Sequence, residues 1–177
     1  MLSEDQILAL IETVRSVAKA EILPHFRNLD ALEIDSKSAP DDLVTIADRA
    51  AELAISKAVH DILPDAAIVG EEAVSADKSV LARVKEPGQV VVIDPIDGTW
   101  NYANGIATYG VILAVIEDGE TVFGLLYDPS YDDWIMAHKV FGPMINNWNE
   151  HGAIPTKAKI LTVISILASF GLSFVFH

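Results

Sequence analysis

The sequence predicts an α+β chain, and three observations carry that expectation. Two stretches within the first 63 residues place apolar side chains at helical spacing. An almost unbroken apolar run, "QVVVIDPI" from Gln89, reads as a strand covered on both faces. Two further strand-like runs meet at Asp118-Gly119, a hairpin signal.

The first helix is expected from Ser3, which with Gln6 resembles a capping box. Ile7, Ile11, Val14, Ala18 and Ile22 then recur on one face, and Pro24 is a plausible stop. "NLDALEIDSKSAPDD" reads as a polar loop. A second helix is expected from about Thr45 to Leu63, ahead of Pro64. "AAIVG" is a short strand ending at Gly70-Glu71-Glu72. After "QVVVIDPI" come the two strands of "YGVILAVIEDGETVFGLLYDP", and "DDWIMAHK" adds another.

The chain's 177 residues suffice for one domain with a sizeable core. Its 12 Lys and Arg stand against 26 Asp and Glu, a formal charge of −14. That balance supplies no basic stripe for nucleic acid or an anionic membrane. A phosphorylated partner would need bound cations to approach such a surface. Cysteine is absent, so thiolate chemistry and disulfides are excluded, which fits a reducing cytoplasmic setting. The N-terminal "MLSEDQ" lacks the basic-then-apolar order of a signal peptide.

The chemistry concentrates in "DPIDGTWNY", residues 94–102. Asp94 and Asp97 follow a strand and flank a proline that cannot extend a hydrogen-bond ladder. Such a turn can aim both carboxylates into one small volume, where two anions are costly unless a cation separates them. Hard oxygen donors without nearby His or Cys favour Mg2+, with Mn2+ or Ca2+ as alternatives, over Zn2+. Gly98 permits an unusual backbone angle, so the amides of Gly98 and Thr99 could converge on an anion, and the Thr99 hydroxyl could orient a water. These parts suit metal-assisted hydrolysis of a phosphate ester. Taken alone, D-x-x-D-G is more often a plain turn. By the same standard Thr45 with Asp48 is a helix cap, Glu71-Glu72 a solvated loop and Lys37 an ordinary loop lysine. The five histidines show no ligand spacing and read as structural or surface residues.

Taken together, "DLVTIAD" (42–48), "GEE" (70–72) and "DPIDGTWNY" are similar to the motifs of the inositol monophosphatase family of Mg2+-dependent, lithium-sensitive phosphatases. The resemblance covers about residues 5–140. It implies the layered α/β sugar-phosphatase fold, of which residues 1–140 would form the first half, and a homodimer acting on a small phosphorylated polyol. It implies that Glu71, Asp94, Asp97 and the Ile96 carbonyl bind metal. Thr99, hydrogen-bonded to Asp48 and helped by Glu71, would activate the attacking water. The Gly98 and Thr99 amides would hold the phosphate, and Lys37 stands where the family often places a mobile lysine. Related phosphatases of nucleotide 3′-phosphates, histidinol phosphate or fructose bisphosphate share this machinery. A catalytically silent metal-binding or dimerisation fragment is the reading from another class.

The resemblance also implies a second half with a Trp-Asp motif, whose aspartate completes a metal site; no aspartate follows Asp133 here. Composition changes near residue 138: Glu150 is the sole acid beyond it, and no Asp, Glu, Lys or Arg occurs from Ile160 onward. Residues 141–177 are therefore expected to be a non-family apolar tail, from truncation, a frameshift or fusion, with impaired activity as the consequence. A tail packed on sheet surface or disordered is favoured over a membrane anchor, because residues 160–176 are at the short limit for a span.

Overall fold

The computed structural model describes residues 2–37 and 43–138, so the expectations for the tail at 141–177 lie outside the described residues. Helix α1 spans Glu4–Val17. Ser3 caps it as the sequence predicts: its hydroxyl accepts from the Gln6 amide at 3.2 Å, and its own amide donates to the Gln6 side chain at 2.9 Å. The five positions of the predicted stripe, Ile7, Ile11, Val14, Ala18 and Ile22, are all buried. Pro24 does not end α1 directly. The α-helical pattern passes first into a π-helical turn, Ala18–Ile22, and Pro24 then sits in a 3-10 turn, Leu23–His25. Proline is accepted in such a first turn because its missing N–H has no partner to lose.

Helix α2 spans Ile46–Ile62 and is capped by Thr45. Its buried face, Ala47, Ala51, Ile55 and Val59, meets α1 and the sheet. The stretch expected to be a polar loop is partly ordered: a 3-10 turn at Ala31–Glu33 leads into β1 (Ile34–Ser36), which pairs antiparallel with β2 (Leu43–Thr45). Three residues without alternation leave no periodic signal; the pairing with "LVT" makes the strand.

The main sheet has the order β3-β4-β5-β6-β7. Its strands are β3 (Ala67–Gly70), β4 (Gln89–Asp97), β5 (Gly110–Glu117), β6 (Glu120–Asp128) and β7 (Asp133–His138). β3 and β4 are parallel and the remaining pairs antiparallel. The crossover between the parallel strands carries α3 (Glu71–Ala76) and a 3-10 stretch, Lys78–Lys85. The expected hairpin turns at Asp118 and Gly119, both left-handed at φ 50° and 81°. Period two is visible in the core, where Val111, Leu113 and Val115 of β5 join Phe123, Leu125 and Tyr127 of β6 beneath the helices. This is the layered α/β arrangement expected. No helix among the described residues is long and apolar enough to cross a membrane.

Candidate active site

The site is built where β4 stops behaving as a regular strand. Asp94 pairs with Ile112, but Asp97 pairs with Gly110, so β4 carries one extra residue across Pro95 and Ile96. Residues three apart on a regular strand face opposite sides; one extra residue restores the parity. Pro95, with no N–H to give the ladder, is suited to this bulge. Helix α4 (Thr99–Ala103) follows at once. Gly98 makes the turn between them at φ 93°, ψ 36°, the left-handed conformation its residue type predicts. A Cβ at Gly98 would also press to 3.1 Å from the Thr108 carbonyl.

Three other elements converge on this turn. Asp48, in the first turn of α2, is fully buried. Its Oδ2 accepts from the Thr45 amide at 2.8 Å and from the Thr45 hydroxyl, while its Oδ1 lies 3.2 Å from the Thr99 hydroxyl. The capping acid thus reaches the site with its second oxygen. Thr99 Oγ1 also stands 2.9 Å from the Ile96 carbonyl, so its single proton has two acceptors within reach. Glu71 and Glu72 open α3 directly after β3. Lys37, just beyond β1, donates to Glu71 at 2.8 Å and to Glu72 at 2.6 Å.

The electrostatics are those of crowded carboxylates. Asp94 is pushed up to about 9, first by burial and then by the charge of Glu71 and a hydrogen bond with it, with Asp97 and Asp48 adding to the effect. Asp94 Oδ1 is buried and has no hydrogen-bond partner. Asp97 is raised by partial desolvation and by Glu71. Burial raises Asp48, against the pull of the Thr45 and Thr99 donors. Burial works against the charge of Lys37, but the hydrogen bonds to Glu71 and Glu72 outweigh it and hold the ammonium above its ordinary range.

The predicted residues Lys37, Asp48, Glu71, Asp94, Ile96, Asp97, Gly98 and Thr99 therefore gather from four segments into one region. As they stand, no three His, Cys, Asp or Glu side chains among the described residues are grouped closely enough to hold an ion. The donor set nonetheless fits a hard cation. A buried carboxylate oxygen without a hydrogen-bond partner, on an acid crowded by like charge, is a donor suited to such an ion. One residue of this neighbourhood was not singled out from the sequence. Glu52, one turn beyond Asp48 on α2, is 8% exposed and accepts from the Glu72 and Ala73 amides at 2.7 and 3.0 Å. The available signal was its place on the apolar stripe with Ile55 and Val59.

Comparison with known proteins agrees with the motifs. The model of the inositol monophosphatase family matches residues 3–173. The chain belongs to the inositol monophosphatase family. An inositol-1-monophosphatase of Bacillus subtilis is 33% identical over 117 residues, 66% of this chain and 42% of that protein. A fructose-1,6-bisphosphatase/inositol-1-monophosphatase of Thermotoga maritima is 27% identical over 142 residues, 80% of this chain and 51% of that protein. Among solved structures, a Thermotoga maritima IMPase superposes with a TM-score of 0.66 at 27% identity, covering 78% of this chain and 50% of that one. The chain thus spans about half the length of the relatives it matches.

Proposed function

We propose that this chain carries the metal and water-activating centre of a Mg2+-dependent phosphomonoesterase of the inositol monophosphatase type, acting on a small phosphorylated polyol. The observation that carries the reading is the unpartnered, buried Asp94 Oδ1 beside Glu71 and Asp97, with Thr99 on Asp48 at its edge. Glu71, Asp94, Asp97 and the Ile96 carbonyl would hold Mg2+. When bound, Mg2+ supplies charge neutralisation for the phosphate and a more acidic water.

The chain's own residues account for the rest. When Thr99 turns its proton toward Asp48, the Ile96 carbonyl is released and a Thr99 lone pair faces the incoming water. Asp48, raised by burial, holds the proton side of that pair. Glu71 assists the same water. The Gly98 turn offers its own amide and that of Thr99 to phosphate oxygens. Lys37 would exchange Glu71 and Glu72 for the substrate phosphate. Water adds to phosphorus, the ester oxygen leaves as the alcohol, and inorganic phosphate remains. The name of the Thermotoga relative, which joins two activities, favours fructose bisphosphate as the second substrate to try. The same reading takes the protein to be a cytoplasmic homodimer, which sedimentation of the purified chain checks.

The test is turnover of an inositol monophosphate and of a phosphomonoester panel at saturating Mg2+. The expected result is Mg2+-dependent release of phosphate that is lost in Thr99→Ala. Turnover indifferent to that substitution would remove Thr99 from the chemistry.

A further inference from the structure

Helix α2 touches the site at two points one turn apart. Asp48 reaches Thr99, and Glu52 reaches the β3–α3 junction. Glu52 commits both carboxylate oxygens to backbone donors, one to the Glu72 amide at 2.7 Å and one to the Ala73 amide at 3.0 Å. These are the two residues that follow Glu71. The arrangement extends to Gly70, whose φ of −96° any residue can adopt. Its lack of a side chain has a different cause: a Cβ there would land on the Glu52 carboxyl. Glycine at 70 leaves the seat in which that carboxylate rests.

A buried acid at this position is costly, whereas an apolar residue on the same stripe would pack beside Ile55 without that cost. The carboxylate offsets part of its desolvation through two charge-assisted hydrogen bonds, and both fix one short piece of backbone. That piece presents Glu71. We propose that Glu52 is a positioning residue of the site: seated over Gly70, it clamps the Glu72 and Ala73 amides and so sets the Glu71 side chain beside Asp94 and Asp97. The consequence for metal rests on the proposed function above; the clamp itself rests on the hydrogen bonds.

The test uses the full chain, 15N-labelled, as wild type, Glu52→Gln and Asp94→Asn. Gln keeps the size but opposes an NH2 group to one of the two amides, so one clamp bond is lost. Hydrogen exchange at Glu72 and Ala73 should quicken about tenfold or more in Glu52→Gln, a loss of about 1.4 kcal/mol of local protection. Leu113 and Val115 in β5 should keep their rates. Calorimetric titration with Mn2+ should show a Kd weakened about tenfold or more in Glu52→Gln, the scale of lost outer-shell support, and no binding in Asp94→Asn. Gly70→Ala should reproduce the Glu52→Gln exchange pattern by displacing the carboxylate. Unchanged exchange at Glu72 and Ala73 would overturn the proposal. So would an unchanged Mn2+ Kd, or an equal loss of protection in β5, which would mean general destabilisation. If wild type takes up no Mn2+, the metal reading fails, and the exchange data alone decide the clamp.

Discussion

Replacing Asp94 by Asn should make the metal-free protein more stable while abolishing its response to divalent metal. In the native state the Asp94 carboxyl is pushed up to about 9 by burial and by Glu71, against an ordinary value of 3.8. A carboxyl raised on folding contributes stability that is full below its unfolded value and is lost as pH rises through its folded one. The window therefore runs from about pH 4 to pH 9. Each pH unit inside it is worth at most about 1.4 kcal/mol, so between about pH 5 and pH 8 the ceiling is about 4 kcal/mol. Solvent relaxation around the ionised carboxylate lowers this, and about 1–3 kcal/mol is the expected loss. Asn is isosteric, carries no charge and can still donate to Glu71. Thermal melts in a chelator should show wild type falling by roughly 3–10 °C between those pH values while Asp94→Asn stays flatter and melts higher at the alkaline end. Adding Mn2+ at the alkaline end should raise the wild-type midpoint and leave the variant where it was. A wild type equally stable at both pH values, with no gain in the variant, would refute the picture of a buried, repelled carboxylate.

Thr99→Ser should retain measurable phosphatase activity where Thr99→Ala does not, because serine keeps the hydroxyl between Asp48 and the Ile96 carbonyl; phosphate release under Mg2+ reads the difference. Tyr102→Phe removes a buried hydroxyl that donates to the Ile22 carbonyl at 2.7 Å and should cost about 1–2 kcal/mol, seen in denaturant melts, with Mn2+ affinity unchanged. Asp132 is held well below the ordinary carboxylate range, first by its hydrogen bond to Arg15, so its stabilisation is present above about pH 4 and lost as pH falls further. Asp132→Asn should therefore lower the melting point at neutral pH, and that penalty should fade in acid. The pair is partly exposed, so an effect of about 1 kcal/mol or less is expected. Asn also tolerates the left-handed backbone at this position, φ 51°, which isolates the charge.

What the sequence made legible is what local physics writes into it. The α1 stripe, the Ser3 and Thr45 caps and the Asp118-Gly119 turn each depend on neighbours within a few residues. The proline between two aspartates told of a strand that breaks its own ladder, and the bulge at Pro95–Ile96 is that break. Motif order then brought Lys37, Asp48, Glu71, Asp94, Asp97 and Thr99 to one region. β1 was missed because its three residues gain their structure from a partner strand rather than from their own pattern. Glu52 was missed for a related reason. Its partners are backbone amides 20 and 21 residues away, and no side-chain motif encodes an amide.

The acids of this region differ in how fully their oxygens are partnered, and the proposed metal reading rests on that difference. Asp48 spends its oxygens on Thr45 and Thr99, and Glu52 spends both on backbone N–H. Glu72 is held by Lys37, and Glu71 shares that lysine. These are contacts that need no metal, and they order the frame before any ion arrives. Asp94 differs, because its inner oxygen meets no donor and its neighbour Asp97 offers only more negative charge. A proton on Asp94 relieves the repulsion but gives Oδ1 no partner. On the proposed reading a divalent cation would relieve both at once, and the Ile96 carbonyl, released when Thr99 turns to Asp48, would be a further ligand. The unsatisfied valence thus converges at the end of β4, where the bulge aims it, while Asp48, Glu52 and Glu72 are committed to other partners.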